Sequence, residues 1–200
     1  RLPAPRQAAR ADRGGVMRIL ALDLATTTGW ALGEDHQAPA HGRFSLPSCG
    51  ENYGVFAAEF WRWLAGRLVR HEPRLVAYEK PIHLPTDKLH TVRRLYSLAT
   101  VTEMVCVAKG VQVVSYGLDE IRTNFVGPLH RKRFPGRDNI KRAVIAECRA
   151  RGWNPNGDDD ADALALLDLA RVKHVPGFRS RTHLGLGCAA GAAIADAEAA

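Results

Sequence analysis

The chain has 200 residues, 46% hydrophobic and 24% charged, which suits one principal core and excludes both a large multidomain machine and wholesale disorder. Lys and Arg number 28 against 21 Asp and Glu, a net charge of +7, and that balance favours a polyanionic partner, nucleic acid or an anionic surface. Cys49, Cys106, Cys148 and Cys188 are scattered, with no CxxC and no Cys/His cluster, so neither a zinc site nor a disulfide framework is indicated and a reducing, cytoplasmic setting fits.

Residues 1–16 (RLPAPRQAARADRGGV) are rich in Arg, Ala, Pro and Gly without an apolar period, and are expected to form a disordered extension ahead of a functional start at Met17. A targeting peptide is the other reading, although a hydrophobic segment is missing. Arg18 to Leu24 (RILALDL) reads as a strand, and after the TTTG turn Gly29 to Gly33 and Gly42 to Leu46 read as two more, giving a three-strand meander. Phe56, Phe60, Leu64 and Leu68 recur at four-residue steps within Tyr53 to Arg70, an amphipathic helix that Pro73 stops. Leu75 to Glu79 is a fourth strand.

A long helix is expected from Lys88 to Lys109, ending at Gly110, and then a fifth strand from Val111 to Tyr116. The longest apolar tract, Leu98 to Val114, is broken by Glu103, Lys109 and Gln112 and is too polar for a membrane span. Helices follow near Leu118 to Phe125, Asn139 to Arg151 and Asp159 to Val172. The alternation predicts an α/β domain over residues 17–174, a sheet covered on both faces, and a Gly/Ala-rich flexible tail over 175–200.

Asp23 sits in an apolar strand on the same alternating face as Ile19 and Ala21, where an ionised carboxylate is costly without compensation. It either caps the TTTG turn or belongs to a site. Glu79 repeats the pattern at the end of LVAYE, with pairing to Lys80 as the plainer reading. The run Gly157 to Ala170 (GDDDADALALLDLA) opens a helix with several acids, and Asp158 could serve as its N-cap. Asp159 and Asp162 are three apart and so share one helical face, ahead of Ala and Leu nearly all round. Four carboxylates from two strands and a helix repel one another unless cations lie between them, and such hard oxygen ligands suit Mg²⁺ or Mn²⁺. Between Arg131 and Arg142, six Lys and Arg face the single acid Asp138. That segment is either a solvated face or a phosphate-binding surface.

These residues, in this order, resemble the RuvC-type Holliday junction resolvases of the RNase H-like superfamily, over most of the chain from Met17 to about Lys173. ILALDLATTTGWAL is similar to the family's first strand, turn and second strand, LVAYEKP to the strand bearing a catalytic Glu, and DDDADALAL to the closing helix with its D-x-x-D-A-L pattern. The resemblance implies an RNase H-like fold with a five-stranded mixed sheet, a catalytic and metal-binding tetrad of Asp23, Glu79, Asp159 and Asp162, and two Mg²⁺ per subunit with Mn²⁺ as a substitute. It further implies a homodimer that holds branched DNA and nicks two strands symmetrically, with water as the nucleophile.

DEIRTNFVG and GRDNIKRAVI match the segments carrying DNA contacts, which places Arg122 and Lys141 there, with Lys132, Arg133 and Arg142 in the surrounding basic run. Relatives often carry an aromatic wedge three residues after the catalytic Glu; here Ile82 stands there, followed by His83, so stacking on a base is lost. Arg122 replaces the usual Lys, which keeps the charge and changes its geometry. This divergence is compatible with a phage or prophage gene.

Three other readings compete. An actin-like or sugar-kinase-like ATPase would need a second related domain and a second phosphate loop, and neither is found. A non-catalytic nucleic-acid-binding module leaves the acidic set unexplained. An RNase H-like nuclease acting on another branched or hybrid substrate would use the same site equally well.

Overall fold

Five strands are built from the short apolar runs: β1 (Ile19–Asp23), β2 (Thr27–Gly33), β3 (Ala40–Ser45), β4 (Leu75–Glu79) and β5 (Gln112–Tyr116). The computed structural model describes residues 16–180 except 36, 49, 51, 83–85 and 87. The expectations for residues 1–15 and 181–200, and for His83, Cys49 and Cys188, therefore lie outside the described residues. The strands form one sheet in the order β3-β2-β1-β4-β5. β1 to β3 are an antiparallel meander, while β4 runs parallel to β1 and β5 parallel to β4, as the predicted mixed sheet requires.

Alternation along the strands divides the core in two. Leu20 and Leu22 of β1 and Val76 and Tyr78 of β4 pack under α1 (Tyr53–His71) and α2 (Leu89–Lys109). Ile19, Ala21, Leu75 and Ala77 face the other way, onto α3 (Leu118–Val126), α5 (Arg137–Ala150) and α6 (Asp158–His174). Both faces are covered, so β1 and β4 are buried along nearly their whole length and read as continuous apolar runs. Asn52 caps α1 by accepting from the Val55 amide at 3.1 Å, and Phe56, Phe60, Leu64 and Leu68 are its buried stripe. A four-residue helix, α4 (His130–Arg133), lies in the basic run and carries no periodic signal.

α6 is the central helix of its layer. Its residues from Ala161 to Arg171 are buried apart from Asp162, and Ala at 161, 163, 165 and 170 allows close approach to the sheet. Two glycines complete the fit: a Cβ on Gly29 would overlap the Asp159 carbonyl, and one on Gly33 would strike the Arg171 guanidinium. The buried Arg171 donates to the Glu34 and Gln37 carbonyls at 2.6 and 2.9 Å, tying α6 to the turn between β2 and β3. The N-cap of α6 is Gly157 rather than Asp158. Asp160 reaches back to accept from the Asn156 and Gly157 amides at 2.8 and 2.9 Å, because a carboxylate in the third helical position can serve both free donors. The first residues after α6 pack against the same layer: Val175 is buried, and Ser180 donates to Asp168.

Candidate active site

Sheet register assembles the site. Arg43 on β3 pairs with Gly29 on β2, and Gly29 pairs with Asp23 on β1. The parallel register that sets Leu22 beside Tyr78 carries Asp23 to the level of Glu79, which pairs with Tyr116 on β5. Residues in one cross-sheet row point to the same face, here the face covered by α6. The first turn of α6, seated on Gly29, adds Asp159 and Asp162 to that row from above. All four predicted carboxylates are only partly covered.

Their charges act unequally on one another. Burial and then the charges of Asp162, Glu79 and Asp159 hold Asp23 well above the ordinary carboxylate range, with Lys141 pulling the other way. Burial and Asp162 raise Glu79 to about 7 against Arg122 and Arg137. Burial raises Asp162 to about 6 against Arg122 and Lys141, while Asp158 and Asp159 add to the rise. Asp23, Glu79 and Asp162 thus form the inner group, from three different elements. Asp159 is raised by burial and by Asp158, and is restrained by Arg43 and Lys141; it sits toward the β3 side.

The predicted basic residues divide into two sets. Arg122, on α3, faces Glu79 and Asp162, and its buried Nε has no partner among the described residues. Lys141, on α5, is hydrogen-bonded to Asp158 at the mouth of the site, which pulls the Asp158 carboxyl below its ordinary value. Lys132 is exposed on α4, the Arg133 guanidinium lies 5.4 Å over the Phe134 ring, and Arg142 donates to Asn139 at 2.6 Å. Ile82 is 52% exposed, just beyond the end of β4. Arg131 is held by Asp119 through both carboxylate oxygens, so part of the basic run is already neutralised.

Two features escaped the sequence. The charge of Arg43 acts on Asp159, and His41 lies 3.1 Å from Asp160, pinning β3 to the first turn of α6; Arg137, whose charge acts on Glu79, belongs to the basic run that the sequence already marks. No local pattern marks Arg43 or His41, since both owe their place to register with distant residues.

Among the described residues, no three His, Cys, Asp or Glu side chains converge closely enough to cage a cation as they stand. The fit for a divalent ion rests on donor chemistry. Among the described residues the donors gathered here are carboxylates, and burial and mutual repulsion make each costly to ionise; a hard dication offsets that cost.

Sheet order, strand directions and the closing helix define an RNase H-like α/β fold. Solved structures agree. RuvC from Thermus thermophilus is similar over 75% of this chain and 90% of its own, with TM-score 0.57 and 18% identity; a structure described as T. thermophilus RuvC with Holliday junction substrate gives TM-score 0.56 and 16% identity over the same shares. The yeast mitochondrial Holliday junction resolvase Ydc2 is similar over 79% of this chain and 81% of its own, with TM-score 0.53 and 12% identity. The fold is that of the RuvC-type resolvases. No family profile and no curated protein matches the sequence. Among the described residues, no helix is long and apolar enough to cross a membrane.

Proposed function

We propose that this chain is a divalent-metal-dependent, structure-selective DNA endonuclease that resolves four-way junctions by paired nicks. The observation that carries this reading is the inner group of Asp23, Glu79 and Asp162: three carboxylates from β1, β4 and α6 in one field, each pushed toward its neutral form, on a fold shared with junction resolvases. Structural ion-pair networks do not gather acids in this way, because repulsion among them lowers stability. Asp23, Glu79, Asp159 and Asp162 would hold two Mg²⁺ per subunit, with Mn²⁺ as substitute, and the chemistry the bound ions supply is hydrolysis of a phosphodiester by water. Arg122 and Arg137 approach from the Glu79 side and suit the negative charge of the bound strand. No Ser or Cys nucleophile is needed.

The partner is branched DNA, and the working unit is two copies of this chain. α2 supports a second copy: Leu89, Tyr96, Met104 and Val107 stand exposed along it, a stripe suited to burial against its own image. Ile82, at the place of the wedge, can insert into the junction without stacking.

Cleavage of a labelled four-way junction beside linear duplex, fork and RNA–DNA hybrid, with Mg²⁺ or Mn²⁺, tests the reading, with Asp23→Asn as control. Paired symmetric nicks confined to the junction support a resolvase. Cutting of fork or hybrid instead keeps the site and moves the function to another RNase H-like nuclease. No cutting by the unaltered chain would leave a nucleic-acid-binding module.

A further inference from the structure

We infer that Arg43 binds a backbone phosphate of the strand being cut, gripping that strand from the β3 side while Arg122 and Arg137 grip it from the β4 side. This rests on the nuclease reading above and adds to it a contact that no motif in the sequence marks. Arg43, Gly29, Asp23 and Glu79 form one row across the sheet, so the Arg43 side chain leaves the same face as the two carboxylates. Two strand steps of about 4.8 Å separate its backbone from that of Asp23 by about 10 Å, which sets the guanidinium beyond the carboxylates.

Between them, Gly29 offers no side chain and α6 fills the space with its first turn. The guanidinium passes that turn closely: a Cβ on Gly157 would lie 3.3 Å from Arg43 Nη1. Its neighbour on the same face, His41, is spent on Asp160. Arg43 is not: the residue is exposed, and among the described residues no ion pair within 4.0 Å holds it, although Asp159 feels its charge. A cation so placed has more to gain from phosphate oxygens than from a distant carboxylate, since a guanidinium can take a phosphate by two parallel hydrogen bonds. The rim of the site is then charged on both flanks, as a strand lying across the carboxylates requires.

Binding of a labelled four-way junction in EDTA, over about 50 to 200 mM salt, reads this directly. Arg43→Ala should weaken binding several-fold at low salt, irrespective of junction sequence, and lower the slope of log K against log salt by about 0.9. Arg43→Lys should restore most of the slope. Arg62→Ala, on the far face of the sheet, should leave the slope unchanged. An unaltered slope in Arg43→Ala, with the unaltered chain binding and cutting normally, overturns this inference alone. An equal drop in Arg62→Ala also overturns it, by showing that only net charge is being sensed. If the unaltered chain binds no junction or other nucleic acid, the nuclease reading and this inference fall together.

Discussion

Gly29 lies beneath the backbone carbonyl of Asp159 so closely that no side chain could stand between them. The contact sets the height of α6 above the sheet, and with it the approach of Asp159 and Asp162 to Asp23. Gly29→Ala should lift the first turn of α6, lower stability by about 1–3 kcal/mol and reduce cleavage more than it reduces DNA binding. Urea denaturation and single-turnover cleavage check the two effects; a variant as stable as the parent would show that the helix adjusts freely.

Asp23→Asn removes one charge from the repelling group and one ligand from the proposed site. Without divalent ions the variant should melt higher than the parent, at a scale of about 2–4 °C per kcal/mol for a chain of this size. Cleavage should fall at least about 100-fold, the upper end of the cost of losing a mere outer partner of a ligand. A lower melting temperature in EDTA would contradict the repulsion, and retained cleavage would contradict the site.

Stability should fall with rising pH in the absence of divalent ions. Asp23, Glu79, Asp159 and Asp162 are all raised in the folded chain, so between the ordinary carboxylate value near 4 and the values of about 6 for Asp162 and about 7 for Glu79 the folded state binds more protons than the unfolded one. Stability then decreases as pH climbs through that window. His71 and His174 are lowered, chiefly by burial, and act in the opposite sense near their ordinary value of 6.5. Comparison with Glu79→Gln isolates the carboxylate part: melting in EDTA at several pH values should show a shallower decline in the variant, and Mg²⁺ should flatten the parent. Parallel curves for parent and variant would count against it.

Arg151 is a cation of a buried cluster that binds α5 to α6. It donates to Glu147 at 2.8 Å and to Asp168 at 2.7 Å, Asn124 of α3 donates to Asp168 at 2.8 Å, and the guanidinium lies 4.1 Å over the Phe125 ring. Removing the guanidinium takes an ion pair from each of two buried carboxylates. Arg151→Met should cost about 3–5 kcal/mol in chemical denaturation, and Arg151→Met with Glu147→Gln and Asp168→Asn should recover part of it. A loss below about 1 kcal/mol would mean that water reaches the cluster.

The elements were legible because their signals are local. Apolar runs of β1 and β4, the four-residue steps of α1 and the Ala/Leu-rich α6 each fall within a single segment, and burial of a stripe or a face leaves a periodic mark on the chain. Asp23 and Glu79 stood out for the same reason, as charged residues where period and burial called for apolar ones. α4 escaped because four residues are too few to show a period. Asp158 drew the cap assignment that falls to Gly157 because a carboxylate in the third helical position competes for the same amides and only geometry decides between them.

By itself the sequence determined an α/β chain with five strands, a closing helix and acidic residues at the ends of β1 and β4 and the start of α6. Tertiary structure alone decided that Arg43 and His41 share the face of these acids across β2, and that Lys141 pairs with Asp158. Such neighbours are far apart in the chain: His41 and Asp160 are separated by 119 residues. Their meeting depends on strand register and on the clearance that Gly29 gives α6, and neither quantity leaves a trace in any one segment.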